Sequence, residues 1–200
     1  MNHITLLKQF STATICEAYS GKGALPHSIK PVRLGMKLCG PLVTVAARPG
    51  DNLIVHKAIY AAKPGDVLLV TTSAFVEAGF WGMIMTQAAM QRGITGLVTD
   101  GSVRDTDEIG ASGFPIFSGG VCIKGTTKVC PGVINQPLFL EGVLVEPGDY
   151  VIGDSDGVVV ISQKDVGEVI RLAEQREEKE KRIVAELKEG KTTLDIYGFH

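Results

Sequence analysis

The sequence has no excess of positive charge and no long apolar run. It carries 20 Lys and Arg against 22 Asp and Glu, a formal net charge of −2. A general nucleic-acid binder needs a basic surface to neutralise phosphates, so we expect no nucleic-acid partner. No uninterrupted apolar run approaches the roughly 18–20 residues that span a bilayer. Residues 1–21 also lack the basic and apolar regions of a secretory signal. We therefore expect a cytoplasmic protein without a membrane partner.

Sequence patterns typical of disulfide frameworks and zinc sites are missing as well. The four cysteines, at positions 16, 39, 122 and 130, contain no C-x-x-C pair, and the four histidines contain no H-x-x-x-H pair. A chain of 200 residues has enough core to fold without disulfides, so we expect reduced, partly buried thiols. The pattern argues against a zinc site of His and Cys ligands. Any metal ion would be held by oxygen ligands.

Glycine, by contrast, is abundant, with 24 residues where average usage predicts about 14. Pro-Gly-Asp occurs three times, and its Pro and Gly suit successive positions of a tight turn. Apolar runs predict strands at 42–46, 67–71, 96–99, 143–145, 150–152 and 158–161. Helices are predicted at about 12–20, 52–62, 82–92 and 105–111. The order predicts one α/β domain over residues 1–162, a mixed buried sheet with helices on it.

Residues 163–190 are predicted to form one long C-terminal helix whose character changes half-way. Its first turns have an apolar face of valine, isoleucine and alanine, and nine polar residues follow at 174–182, about two and a half turns. Apolar residues then return at 183, 184, 187 and 194–199. One interpretation is a solvated surface helix. The other, which accounts for the returning apolar residues, is that segment 163–200 packs on a neighbouring subunit.

The residues best suited to chemistry lie between positions 80 and 109. A helix that begins near Gly82 directs unpaired backbone N–H groups at whatever lies before it, which suits a carboxylate. The strand at 96–99 leads into Asp100-Gly-Ser-Val-Arg-Asp at its carboxyl end, where ligands collect in α/β folds. Arg104 could clamp a substrate carboxylate and Asp105 could hold a hard cation. The structural alternative makes Asp100 a turn residue, Arg104 a salt-bridge partner and Asp105 the N-cap of helix 105–111.

A set of motifs runs in order through nearly the whole chain. It comprises residues 65–70, 81–82, 88–89, 92–94, 96–98, 100–105 and 108, followed by 114–117, 147–149, 154–160 and 194–198. Together these motifs resemble the 4-hydroxy-4-methyl-2-oxoglutarate aldolase family, which also contains the regulator of ribonuclease activity A. The resemblance implies a single-domain α/β fold of the swivelling type, assembled as a homotrimer or a dimer of trimers.

The resemblance also implies an activity and a cofactor. Family members with aldolase activity cleave 4-hydroxy-2-oxo dicarboxylic or tricarboxylic acids to pyruvate and a second oxo acid, and often decarboxylate oxaloacetate. They use Mg²⁺ or Mn²⁺. A Schiff-base mechanism has no candidate between residues 80 and 105, because that window contains no lysine.

Site residues are carried over by position. Asp105 is the implied metal ligand, Arg104 contacts the pyruvyl moiety, and Glu180 from the neighbouring subunit's C-terminal helix completes the site. The backbone amides that would bind substrate belong to one run, Gly82, Met83, Ile84 and Met85.

One position departs from the family pattern. The family motif is an aspartate, twenty residues and then Arg-Asp, and in this chain Met83 stands at the leading position. A thioether is a soft ligand and does not suit a hard cation such as Mg²⁺. Either Asp105 alone keeps a weakened metal site, or the chemistry has changed. Because the ribonuclease-regulator branch also lacks that aspartate, a non-catalytic regulator that binds a protein partner is the alternative function.

Overall fold

The computed structural model describes residues 2–129 and 131–199, so Cys130 and His200 lie outside the described residues. The helices are α1 (His3–Leu7), α2 (Thr12–Ala18), α3 (Leu53–Ala61), α4 (Met83–Gln91), α5 (Thr106–Ser112), α6 (Val166–Lys188) and α7 (Thr193–Tyr197). The strands are β1 (Lys30–Pro31), β2 (Leu38–Ala46), β3 (Val67–Thr71), β4 (Gly79–Trp81), β5 (Gly96–Val103), β6 (Ile116–Val121), β7 (Val133–Ile134), β8 (Leu138–Leu140), β9 (Val143–Val145), β10 (Tyr150–Gly153) and β11 (Val158–Ile161).

A mixed sheet in the order β1-β6-β5-β3-β2-β10-β11 forms the centre of the molecule. Strands β2, β3, β5 and β6 are parallel, whereas β10, β11 and β1 run antiparallel to their neighbours. Leu42 pairs with Val67, which pairs in turn with Gly96, so the three central strands are aligned. Parallel strands need long crossover connections, and α3, α4 and α5 lie in these connections.

Apolar packing covers both faces of the sheet, as near-continuous apolar strands require. One core joins β3 and β5 to α3, α4 and α5 around the fully buried Trp81. A second core packs the opposite face against the β8–β9 hairpin, and a third packs α1, α2 and the first turns of α6 against β10 and β11. The predicted single-domain α/β fold with a mixed buried sheet is confirmed.

The structural alternative predicted that Asp100 is a turn residue. This is wrong, because Asp100 lies within β5, which continues to Val103. Its buried carboxylate accepts hydrogen bonds from Thr71 Oγ1 and Thr72 N, both at 2.6 Å, and from Ala74 N at 3.0 Å. Ser73 and Ala74 have positive φ in this turn. The carboxylate therefore holds the strained connection that follows β3 against β5, and it satisfies the Thr72 amide, which would otherwise be buried without a partner.

Helix α6 is packed in its first half only. Val166, Val169, Ile170 and Ala173 are buried against the third core. Beyond them, five large apolar side chains near the C-terminus are between 39% and 64% exposed: Val184, Leu187, Leu194, Tyr197 and Phe199. None of the helices among the described residues is long and apolar enough to cross a membrane.

Candidate active site

Strands β4 and β5 bring the two halves of the candidate site together. They are parallel neighbours, with Trp81 opposite Val103, and the amide of Arg104 donates to Trp81 O at 2.9 Å. Both strands end at this level. The chain turns into α4 at Gly82 and into α5 at Asp105, so the N-terminus of α4 lies beside the Arg104–Asp105 pair. Ligand sites in α/β proteins commonly lie at such strand ends.

Asp105 has an unusual backbone conformation that sets the direction of its carboxylate. Its φ of 59° and ψ of 35° are left-handed, a conformation that Asp adopts more readily than most residues. It occupies the N-cap position of α5 but makes no side-chain hydrogen bond to that helix. Instead Asp105 Oδ2 accepts from the amide of Met83 at 2.9 Å, at the N-terminus of α4. The structural alternative is thus correct about the position of Asp105 and wrong about its contact.

Position 82 requires glycine because the side chains of Asp105 and Arg104 approach its Cα closely. Its backbone is extended, which any residue tolerates, but a Cβ atom there would lie 2.5 Å from Asp105 Oδ2 and 3.2 Å from Arg104 Nε. Only glycine leaves room for the carboxylate against the helix N-terminus.

Arg104 and two backbone amides offer uncommitted hydrogen-bond donors. The guanidinium is half-exposed, and its ion pair with Asp105, Nε to Oδ2, is long at 3.9 Å. Among the described residues, no acceptor is found for the amides of Ile84 and Met85 in the first turn of α4. Together these donors can bind an anion such as a carboxylate.

The donors open into a cleft of about 200 Å³. Its walls include Gly82, Ile84, Met85, Arg104 and Asp105, five of the residues expected from the sequence. Met83 contributes its amide to Asp105, while its partly buried side chain packs against the core.

Other residues of the cleft were missed by the sequence analysis: Asn52, His56, Thr126 and Lys128. Burial, and then the nearby Lys128 ammonium, lowers the pKa of His56 below its ordinary value, so the imidazole is neutral at pH 7. Asn52 only marks the start of a predicted helix, and Lys128 lies in an irregular segment. For neither residue does the neighbouring sequence contain a pattern that predicts a place in the site.

Asp51 joins two of these walls. Its buried carboxylate accepts from Thr127 Oγ1 and from Val129 N, both at 2.7 Å, and from Leu53 N at 3.0 Å. The segment that carries Lys128 is thereby tied to the N-terminus of α3, which carries Asn52 and His56. The spacing of these side chains across the cleft depends on this contact.

Glu180 is not brought to the cleft within one chain. It lies in the exposed half of α6, where its Oε1 pairs with Arg176 Nε at 3.0 Å. Arg176 also pairs with Glu17 of α2. The structure therefore unites the residues expected from 82–85 and 104–105 and leaves Glu180 elsewhere.

The donor set is sparse for a metal ion. Within residues 2–129 and 131–199, no group of three or more His, Cys, Asp or Glu side chains could hold one. Asp105 Oδ1 has no hydrogen-bond partner among these residues, so one hard oxygen ligand is available. Mg²⁺ usually keeps several waters and binds one or two carboxylates together with substrate oxygens. The residues fit such a weakly held, substrate-assisted cation.

A family model described as RraA-like (Aldolase/RraA) matches residues 12–160. The chain belongs to the RraA-like family. It is 35% identical over 177 residues to a protein of Halalkalibacterium halodurans named as a candidate 4-hydroxy-4-methyl-2-oxoglutarate aldolase, covering 88% of this chain and 84% of that protein. The predicted family resemblance is confirmed.

Solved structures with the same fold include proteins from two other bacteria. An uncharacterized protein from Pseudomonas syringae pv. tomato superposes with a TM-score of 0.85 at 28% identity, covering 95% of this chain and 94% of that one. RraAS2 of Streptomyces coelicolor, described as an unusual member of the RNase ES inhibitor RraA protein family, has a TM-score of 0.81 at 27% identity. The match covers 90% of this chain and 93% of RraAS2.

The packing at Gly82 leads to a prediction. Gly82→Ala should displace the Asp105 carboxylate, because a side-chain oxygen moves more easily than backbone, and should break its hydrogen bond to Met83 N. We expect the aldolase activity that the family resemblance implies to fall by about a hundredfold, with a melting temperature within about 5 °C of the unmodified protein. Gly167→Ala in α6, where a Cβ meets nothing within 4 Å, is the control. Full activity of Gly82→Ala would contradict the role given to this close approach.

Proposed function

We propose that the protein is a divalent-metal aldolase that cleaves a 4-hydroxy-2-oxo dicarboxylic or tricarboxylic acid to pyruvate and a second oxo acid. Oxaloacetate decarboxylation is the expected side reaction, since it generates the same pyruvate enolate. The observation that carries the proposal is the uncommitted Arg104 guanidinium beside Asp105 and the N-terminus of α4. The family membership and the name of the Halalkalibacterium relative support it.

In this proposal Arg104 binds the carboxylate next to the oxo group as a bidentate fork. The amides of Ile84 and Met85 lie at the positive end of the α4 dipole and stabilise negative charge that develops on the enolate as the C3–C4 bond breaks. These donors are fixed before substrate arrives, so they need little reorganisation.

Asp105 would hold Mg²⁺ or Mn²⁺, and the cation, when bound, supplies Lewis-acid stabilisation of the enolate oxygen. The proton of the C4 hydroxyl must leave to a base, and the enolate left by cleavage must take up one proton at C3 to become pyruvate. His56 lines the cleft and has a lowered pKa, so its imidazole is unprotonated at neutral pH and available to accept that proton. A distal carboxylate of the substrate would meet Lys128, which also lines the cleft.

A second candidate function is favoured by Met83. This side chain stands where the family motif has an aspartate, and it packs against the core rather than offering an oxygen to the cleft. A regulator that binds a protein partner needs no metal ligand there. The net charge of −2 favours a protein over RNA as that partner.

Asp105→Ala tests the first function directly. We expect it to abolish Mn²⁺-dependent release of pyruvate from oxaloacetate and from 4-hydroxy-4-methyl-2-oxoglutarate, because the carboxylate proposed to hold the cation is lost. The fold should persist, since the carboxylate is exposed and the strain of an alanine in the left-handed backbone at this position costs only about 1 kcal/mol. Asp107→Ala, an exposed aspartate two residues further on, is the matched control and should keep activity within about twofold of the unmodified protein. Unchanged turnover in Asp105→Ala would refute the assignment of the ligand, and an unmodified protein that is inactive on both substrates would refute the proposed aldolase.

Met83→Asp tests why this chain departs from the motif. An aspartate in the first turn of α4 would meet unpaired N–H groups and the helix dipole, beside the cation proposed at Asp105. We expect Mn²⁺ to bind about tenfold more tightly, by analogy with a helix-terminal charge plus one added ligand, and decarboxylation to rise. Met83→Leu keeps the apolar packing and should change neither. A lower melting temperature without tighter Mn²⁺ binding would mean that Met83 serves the core alone.

We also propose that residues 174–199 pack on a neighbouring subunit of a homotrimer or a dimer of trimers, where Glu180 completes the site. The exposed apolar side chains from Val184 to Phe199 are the support for this proposal. Deleting residues 175–200 should lower the oligomeric state in sedimentation and reduce activity. Glu180→Gln in the full chain should reduce activity alone, with Glu177→Gln as its control. An unchanged, fully active oligomer after the deletion would show that the helix is a solvated extension.

A further inference from the structure

Asn52 Oδ1 stands out among the polar side-chain atoms of the described chain. This oxygen is buried, and no donor within residues 2–129 and 131–199 forms a hydrogen bond with it. Asn52 is only 5% exposed. A buried acceptor without a donor is costly, and such atoms are rare in folded proteins. A partner from outside the chain would remove this cost.

The orientation of the Asn52 amide follows from its neighbours. Nδ2 donates to Phe80 O at 2.7 Å and lies 3.5 Å from Met85 Sδ, a weak acceptor. Exchanging the two amide atoms would set an oxygen against the Phe80 carbonyl. The nitrogen is therefore committed to the strand, and the oxygen is the group left for a ligand.

Asn52 lines the same cleft as Arg104 and Lys128. The guanidinium, the ammonium and the amides of Ile84 and Met85 are all donors, and they require acceptors such as carboxylate or oxo oxygens. Asn52 Oδ1 has the opposite requirement, because it accepts only. A ligand that satisfies the whole cleft is an acid that also carries a hydrogen-bond donor.

We propose that Asn52 Oδ1 accepts a hydrogen bond from a hydroxyl group of the ligand, so that the site selects hydroxylated oxo acids over acids that lack the hydroxyl. The identification of the acid rests on the proposed function. An amide is not a base at neutral pH, so Asn52 binds and orients the hydroxyl, and the hydroxyl proton leaves to another group. The contact belongs to the bound ground state, and its loss should raise KM more than it lowers kcat.

Asn52→Leu, which is close in size and has no acceptor, tests the selectivity. The kcat/KM ratio of 4-hydroxy-4-methyl-2-oxoglutarate to oxaloacetate, which has no hydroxyl, should fall about tenfold, as expected for one neutral hydrogen bond. Arg104→Lys is the matched control, because both substrates lose the same carboxylate clamp. In Arg104→Lys both activities should fall, and the ratio of the two kcat/KM values should stay within about threefold of that of the unmodified protein. An unchanged ratio in folded Asn52→Leu overturns the proposal.

A measurement on the unmodified protein covers the case in which Asn52→Leu, by orphaning Phe80 O, fails to fold. Calorimetry with EDTA present compares 4-hydroxy-2-oxoglutarate with 2-oxoglutarate, and we expect the hydroxylated acid to bind about tenfold more tightly. Equal affinities, or binding of neither acid, overturn the inference. Selective binding without cleavage in the Mn²⁺ assay overturns the proposed aldolase and supports the hydroxyl contact. Cleavage without selective binding supports the proposed aldolase and overturns the hydroxyl contact.

Discussion

The hydrogen bond from Met83 N to Asp105 Oδ2 is the contact on which the arrangement of the site depends. It links the beginning of α4 to the end of β5, two segments 22 residues apart in the chain. A carboxylate in this position is favoured by the helix dipole. Two further features make the bond possible: the left-handed backbone of Asp105 turns its side chain back, and Gly82 leaves the space for it.

The central sheet supplies the rest of the geometry. Since β3, β4 and β5 run in parallel, the connections that follow them open at one edge. Asp100 holds the first of these connections in place and Asp51 joins α3 to the segment at 125–129. Two buried carboxylates thus act as structural crosslinks, while the exposed Asp105 keeps one oxygen free. Aspartate has different roles at these positions because the carboxylates differ in burial and in the number of hydrogen bonds that they accept.

Much of this architecture could be predicted from the sequence because its signals are local. The apolar runs at 67–71 and 158–161 are strands as predicted, and the long helix begins at Val166. The three-residue strand Gly79–Trp81 is too short to have a pattern, and it is specified by pairing with β5. Likewise, the placement of Asn52 and Arg104 in one cleft depends on contacts between residues far apart in the chain, which no local periodicity contains.

The donor that anchors Asp105 belongs to the main chain, and this has a consequence for divergence. Every amino acid except proline supplies an N–H at position 83, so the carboxylate keeps its place whichever side chain stands there. Position 83 can therefore exchange an acid for an apolar side chain without dismantling the anion-binding turn. The side chain at position 83 can thus be replaced without loss of the main-chain contact that holds the turn together.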